Sequence, residues 1–75
     1  MKSRPVIDQA RGMVMAVGPC TADQAWDVLV EVSQHTNIKL HAVAEQLVAT
    51  SLGYRLREPV RRALGQAMQA RRHHA

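Results

Sequence analysis

The sequence predicts an all-α fold, a small three-helix bundle followed by an additional C-terminal helix, and three observations predict it. Apolar and β-branched residues recur at three- and four-residue intervals rather than in alternation. Stop and start signals at Gly18-Pro19, Thr21, Asn37, Gly53 and Pro59 divide the chain into four segments. Only Trp26 and Tyr54 are aromatic and Phe is absent, so Ala and aliphatic side chains must fill the core. That scarcity argues against the sheet folds that bind single strands on aromatic platforms.

In the first segment Ser3 is placed as N-cap, with Pro5 in the first turn, where a missing N–H costs little. Val6, Ile7, Ala10, Met13, Val14 and Val17 form one apolar stripe, and Gly18-Pro19 ends the helix. Thr21-Ala22-Asp23-Gln24 has the form of a capping box, and Asp23 and Asp27 put negative charge near the positive end of the second helix. Ala25, Trp26, Leu29, Val30 and Ser33 mark its inner face, and it is expected to end near Thr36. Asn37 then reads as the N-cap of a third helix whose stripe is Leu40, Val43, Ala44, Leu47, Val48 and Leu52, stopped by Gly53. Tyr54 to Glu58 reads as a connection with Leu56 tucked inward. Pro59 opens a fourth helix carrying Val60, Ala63, Leu64, Ala67 and Met68, weakened at Gly65 by about 1 kcal/mol relative to Ala. The last residues, Arg71 to His74, are expected to fray.

Seventy-five residues hold one small domain, for which burial is marginal unless a partner chain helps. The single Cys20 cannot form an internal disulfide, no apolar run reaches the roughly 20 residues a membrane span needs, and the short basic start leads to no signal-peptide apolar region. A cytoplasmic protein without membrane contact is expected. Charge is uneven along the chain: residues 1–19 carry three basic and one acidic side chain, residues 20–53 one and four, residues 54–75 six and one. Arg4, Arg11 and Lys39, with Arg55, Arg57, Arg61 and Arg62, are either a nucleic-acid footprint or an ordinary solvated basic surface.

Catalytic arrangements are missing from the pattern. His35 and His41 sit in or beside a turn, far in sequence from Cys20, and no Cys-x-x-Cys or His-x-x-x-His spacing occurs. No Gly-rich phosphate loop precedes a helix. Cys20 stands just before a helix start, where a thiolate is favoured, but it reads as a small packed residue. Neither an enzyme nor a bound cofactor or metal is expected.

The stretches VIDQARGMVMA (Val6 to Ala16) and CTADQAWDVLVEVSQHTNIKLHAVAEQLV (Cys20 to Val48) resemble the ANTAR domain, the RNA-binding output module of bacterial transcription antiterminators. The Gln-Ala-Arg-Gly of helix one, the Ala-Asp-Gln-Ala-Trp of helix two, and Ser33, Asn37, Lys39-Leu40 and Val43-Ala44 fall in family order and spacing. Helix one is especially close to that of GAF-linked relatives from actinobacteria. The resemblance implies a three-helix domain over residues 1–53, with residues 54–75 as a basic C-terminal helix and tail outside it. It implies binding of leader RNA with tandem stem-loops closed by six-nucleotide loops, so that the overlapping terminator does not form. It further implies a homodimer and control by an upstream sensor domain. With only a few residues before the motif, the chain is either a fragment of such a regulator or a stand-alone protein controlled by its expression level, by a partner such as a separate sensor protein, or by self-association. The signal and the target operon stay open.

The RNA-contact set that the resemblance implies is Gln9, Arg11, Gly12, Ser33, Gln34, Thr36, Asn37 and Lys39, and the core set is Ala10, Trp26, Leu29, Leu40, Val43 and Ala44. The residue chemistry gives each contact a reason and an alternative. Gly12 costs about 1 kcal/mol in mid-helix, which invites a close approach either by helix three or by an RNA backbone. Arg11 offers a planar fork to phosphate or base, or pairs with Asp8 or Glu45. Asn37 and Lys39 sit where a helix start favours phosphate and where plain capping also applies. Ser33, Gln34 and Thr36 offer hydrogen bonds to loop bases, though Ser33 on the inner face can bond a backbone carbonyl instead. Gly18-Pro19 departs from the basic turn commoner in the family. Two other functions remain in competition: a dimerising protein-interaction module without RNA binding, and a helix-turn-helix DNA binder reading through Asn37, Lys39 and His41.

Overall fold

The computed structural model describes the backbone of residues 3–73 and the side chains of residues 5–70. Four α-helices follow one another: α1 (Ser3–Val17), α2 (Ala22–Thr36), α3 (Leu40–Ala49) and α4 (Glu58–His73), with a 3-10 turn (Thr50–Leu52) after α3. No strand occurs among the described residues. Helix α1 packs chiefly on α3 and α4 chiefly on α2, and α2 also touches α1 and α3.

The core is made of small side chains. Ala10 and Val14 of α1, Ala25, Val28, Leu29 and Val32 of α2, Val43, Ala44 and Leu47 of α3, and Val60, Ala63 and Ala67 of α4 form one buried cluster. Residues after Gly53 therefore share the core of the preceding helices. Burying only Ala, Val and two Leu lets the helix backbones come close, since interaxial distance follows the side chains at the contact.

The start of α2 follows from its local chemistry. The Gln24 N–H donates to Thr21 Oγ1 at 3.1 Å and the Thr21 N–H donates to Gln24 Oε1 at 2.9 Å, the reciprocal capping box expected from the sequence. The helix ends at Thr36, also as expected.

Several other expectations are corrected. Trp26, assigned to the core, is 39% exposed, and Leu52, assigned to the third stripe, is 77% exposed. The inward positions of α2 are Ala25, Val28, Leu29 and Val32, so the indole lies on the flank of that face. Leu52 escapes because the chain tightens into the 3-10 turn after Ala49, which rotates it off the α3 stripe. Leu40 is half-buried and packs against the core from its edge. Asn37 does not cap α3: it closes α2 in the left-handed region (φ 59°), a conformation Asn tolerates better than most residues, and Lys39 takes the N-cap position. Gly12 has open space where a Cβ would stand, so no close approach by α3 explains it. Gly18 is the glycine under packing pressure instead: it is buried, and a Cβ there would overlap Met68 Cε. Its N–H still donates to Val14 O at 3.0 Å, continuing the helical ladder without a left-handed turn. Ser3 lies inside α1, and its side chain, with those of Arg4 and of Arg71 to His74, lies outside the described residues.

Candidate RNA interface

The turn between α2 and α3 is built by three side-chain hydrogen bonds. Thr36 Oγ1 donates to Val32 O at 2.7 Å and accepts from the Ile38 N–H at 3.3 Å, tying the last turn of α2 to the turn that follows. Ser33 Oγ donates to Ile38 O at 2.6 Å. Both polar groups of the Ile38 backbone are thus held by α2 side chains, and the half-buried Ile38 side chain packs against the core. Ser33 and Thr36 spend their hydroxyl protons on the protein's own carbonyls, the alternative the sequence offered for Ser33.

What this bracing leaves outward is Gln34, Asn37 and Lys39, all exposed. Lys39 stands at the N-cap of α3 and makes no capping hydrogen bond, because an ammonium has no acceptor. The Ala42 and Val43 N–H groups both turn back to Lys39 O, at 2.9 and 3.0 Å. The amides ahead of them face the turn without a side-chain acceptor from Lys39. An uncapped helix start beside an ammonium is positive on two counts.

The α1 residues are arranged differently. Arg11 is partly buried, with 31% of its side chain exposed, and its Nη2 lies 3.2 Å from Asp8 Oδ1 on the same helix, the pairing the sequence allowed. Gln9 and Gly12 are exposed. At about 100° per residue Gln9 and Arg11 are about 160° apart around α1, so they stand at opposite edges of its outer surface with Asp8 and Gly12 between them. Ala10 is fully buried behind them.

Helices α1 and α3 share an orientation that relates the two groups. An apolar pocket of about 190 Å³ is lined by Met13, Val14 and Val17 from the end of α1 and by Leu47 and Thr50 from the end of α3. The C-terminal turns of both helices therefore lie at one end of the molecule. The Asn37–Lys39 turn lies at the other, and Arg11 falls between, one turn before Val14. No hydrogen bond joins the α1 group to the turn group among the described residues.

One residue of this region escaped the sequence reading and another was misplaced by it. Ile38 is the pivot on which the turn hangs, and its backbone role leaves no mark in side-chain chemistry. Trp26, placed in the core by its spacing, lies on the same flank of α2 as Val30 and Ser33, at intervals of four and three residues, and is 39% exposed. Its signal was present in the sequence, since two inner faces fit α2 equally well by spacing.

Among the described residues no three His, Cys, Asp or Glu side chains gather as a metal site, and no helix is long and apolar enough to cross a membrane. Cys20 is a half-buried free thiol packed against the core. No curated protein and no solved structure matches the chain. The family model of the ANTAR domain matches residues 1–48, which takes in α1, α2, the braced turn and most of α3. The chain belongs to the ANTAR domain family, a regulatory rather than enzymatic family whose domains bind RNA as output modules of transcription antitermination.

Proposed function

We propose that this chain is an antitermination regulator that binds tandem stem-loops with six-nucleotide loops in nascent leader RNA, contacting them through the α2–α3 turn and the neighbouring surface of α1. The observation that carries the reading is the turn itself: Ser33 and Thr36 fix Ile38 from both sides and leave Gln34, Asn37 and Lys39 exposed at an uncapped helix start. A turn held in this way meets a phosphate without first being ordered, which lowers the entropic cost of binding. Lys39 and the α3 amides meet loop phosphates, Gln34 and Asn37 donate to and accept from base edges, and Arg11 exchanges Asp8 for RNA. Ser33 and Thr36 act by positioning. Gly12 leaves open surface for an RNA backbone at a point where any side chain would stand outward.

Holding the loop in this way favours the stem below it, and a stem that shares bases with a terminator hairpin excludes that hairpin. Two loops call for two binding units. Pairing of two copies of the chain supplies them, and exposed Val17 and Leu52 give such a pair apolar surface to cover. A separate sensor protein would set when the regulator acts, within the cytoplasm where transcription occurs.

Fluorescence anisotropy with a labelled six-nucleotide-loop hairpin RNA, compared with a DNA duplex of the same sequence, tests the reading. Wild type should prefer the RNA, and Arg11→Ala and Lys39→Ala should each weaken it about tenfold and flatten the salt dependence. Unchanged hairpin affinity in both variants would sink the proposal. Preference for the duplex would favour a DNA-binding function, and binding of neither would favour a protein-interaction module.

A further inference from the structure

The connection between α3 and α4 carries a second surface, outside the residues 1–48 that the family model matches. Its backbone is pinned at several points. The Gly53 N–H donates to Thr50 O at 3.1 Å, with Gly53 at φ 96°, a value that favours glycine, and the Tyr54 N–H donates to Ala49 O at 3.3 Å. Leu56 turns inward to pack against the core, and the Arg57 N–H donates to Gln46 Oε1 at 3.3 Å. The side chains between and beside these anchors point out: Tyr54 is 68% exposed, and Arg55 and Arg57 are exposed without an ion pair among the described residues. A phenol ring that exposed contributes little to packing.

The ring and Arg55 border one open groove of about 490 Å³, lined by Thr50, Tyr54, Arg55, Leu56, Glu58 and Arg61, whereas Arg57 faces a separate groove beside Ile38 and Glu45. Glu58 is the acidic member, and its carboxylate is already shared by Arg61 at 2.7 Å and Arg62 at 3.8 Å. The segment from Tyr54 to Arg62 holds four arginines against that single acid, so the groove stays positive. An aromatic face with a sequence-tolerant π-surface, flanked by guanidinium groups that can take phosphates or stack, is the chemistry that holds an unpaired nucleotide.

We propose that this groove is a second RNA subsite, in which an unpaired nucleotide next to a stem stacks on Tyr54 while Arg55 takes a flanking phosphate. The ligand class rests on the RNA reading above, but the groove itself does not use the α2–α3 turn. The two surfaces lie at opposite ends of α3, about 15 Å apart for its ten residues. One RNA reaches both only if single-stranded nucleotides continue past the paired stem. The subsite therefore selects hairpins with an unpaired flank over blunt ones.

The test compares, in anisotropy titrations, a blunt six-nucleotide-loop hairpin with the same hairpin carrying six unpaired uridines. For wild type the tail should tighten binding about tenfold, the scale of one base stacked on an aromatic ring. Tyr54→Ala should reduce that gain to below about threefold, Tyr54→Phe should keep it, and Arg55→Ala should reduce it and flatten the salt slope on the tailed RNA by about 0.7. No gain from the tail in wild type, or a gain that survives in Tyr54→Ala, would overturn the subsite. Each gain is a ratio within one protein, and helical circular dichroism checks that each variant is folded. Failure of wild type to bind the blunt hairpin would count against the antitermination reading instead and would show independently of the tail.

Discussion

The two ends of α3 are made differently. At its N-terminal end the chain is held by hydroxyls: Ser33 and Thr36 grip the Ile38 backbone, and polar side chains face outward around an uncapped helix start. At its C-terminal end packing dominates, with Leu47 buried beside Val14, Leu56, Leu64 and Met68 around an apolar pocket, and the chain leaves through a 3-10 turn and a left-handed glycine. The difference teaches that one helix can be anchored by its apolar end while its other end is shaped for a ligand. Substitutions should then separate stability from binding along its length.

The largest effect is expected where packing dominates. Leu47→Ala should cost about 2–5 kcal/mol, a large share of the stability of a small domain, and is expected to leave the chain largely unfolded by thermal melting. A loss below about 1 kcal/mol would mean that the apolar end does not anchor α3. Ser33→Ala removes the 2.6 Å bond to Ile38 O and leaves that carbonyl short of a partner. It should cost about 1–2 kcal/mol in denaturant titration and weaken hairpin binding more than the stability loss alone explains. Gly12→Ala has the opposite sign: with open space for the methyl group, it should stabilise the chain by about 0.5–1 kcal/mol, seen as a raised Tm, while weakening RNA binding if RNA backbone comes close there. The smallest effect on folding belongs to Lys39→Gln, within about 0.5 kcal/mol on the surface, with hairpin affinity falling severalfold. A Lys39 variant as unstable as the Leu47 variant would erase the contrast between the ends.

How much of this was legible in the sequence depended on the range of the interaction. The capping box of Thr21 and Gln24 is complete within four residues, and its start of α2 is found where the sequence put it. The inner face of α2 was not legible to the same degree. Ala25 and Leu29 belong both to the stripe Ala25, Trp26, Leu29, Val30, Ser33 and to the stripe Ala25, Val28, Leu29, Val32, and periodicity does not choose between them. Packing of α4 on α2 and the contacts from α1 and α3 do, and they turn Val28 and Val32 inward and Trp26 out. The candidate site divides in the same way. The outward residues Gln34, Asn37 and Lys39 are named by their own chemistry, whereas Ile38 matters through its backbone and Gly18 through Met68, fifty residues away in sequence. Asn37 shows how a capping residue is recognised before its helix is: its type marked a helix boundary, and only the left-handed φ assigned it to the end of α2 rather than the start of α3.

A core of Ala and Val around the fully buried Leu29 and the nearly buried Leu47 also sets how the protein responds to temperature. The heat capacity of unfolding grows with the apolar area exposed, and such side chains expose little. The stability curve of this chain should accordingly be shallow, with no sharp optimum. Its melting enthalpy, about 50 kcal/mol for a chain of this length, should spread the transition over tens of degrees. A regulator built this way loses its fold gradually rather than abruptly as its surroundings warm, and across that range occupancy by its ligand raises how much of it is ordered.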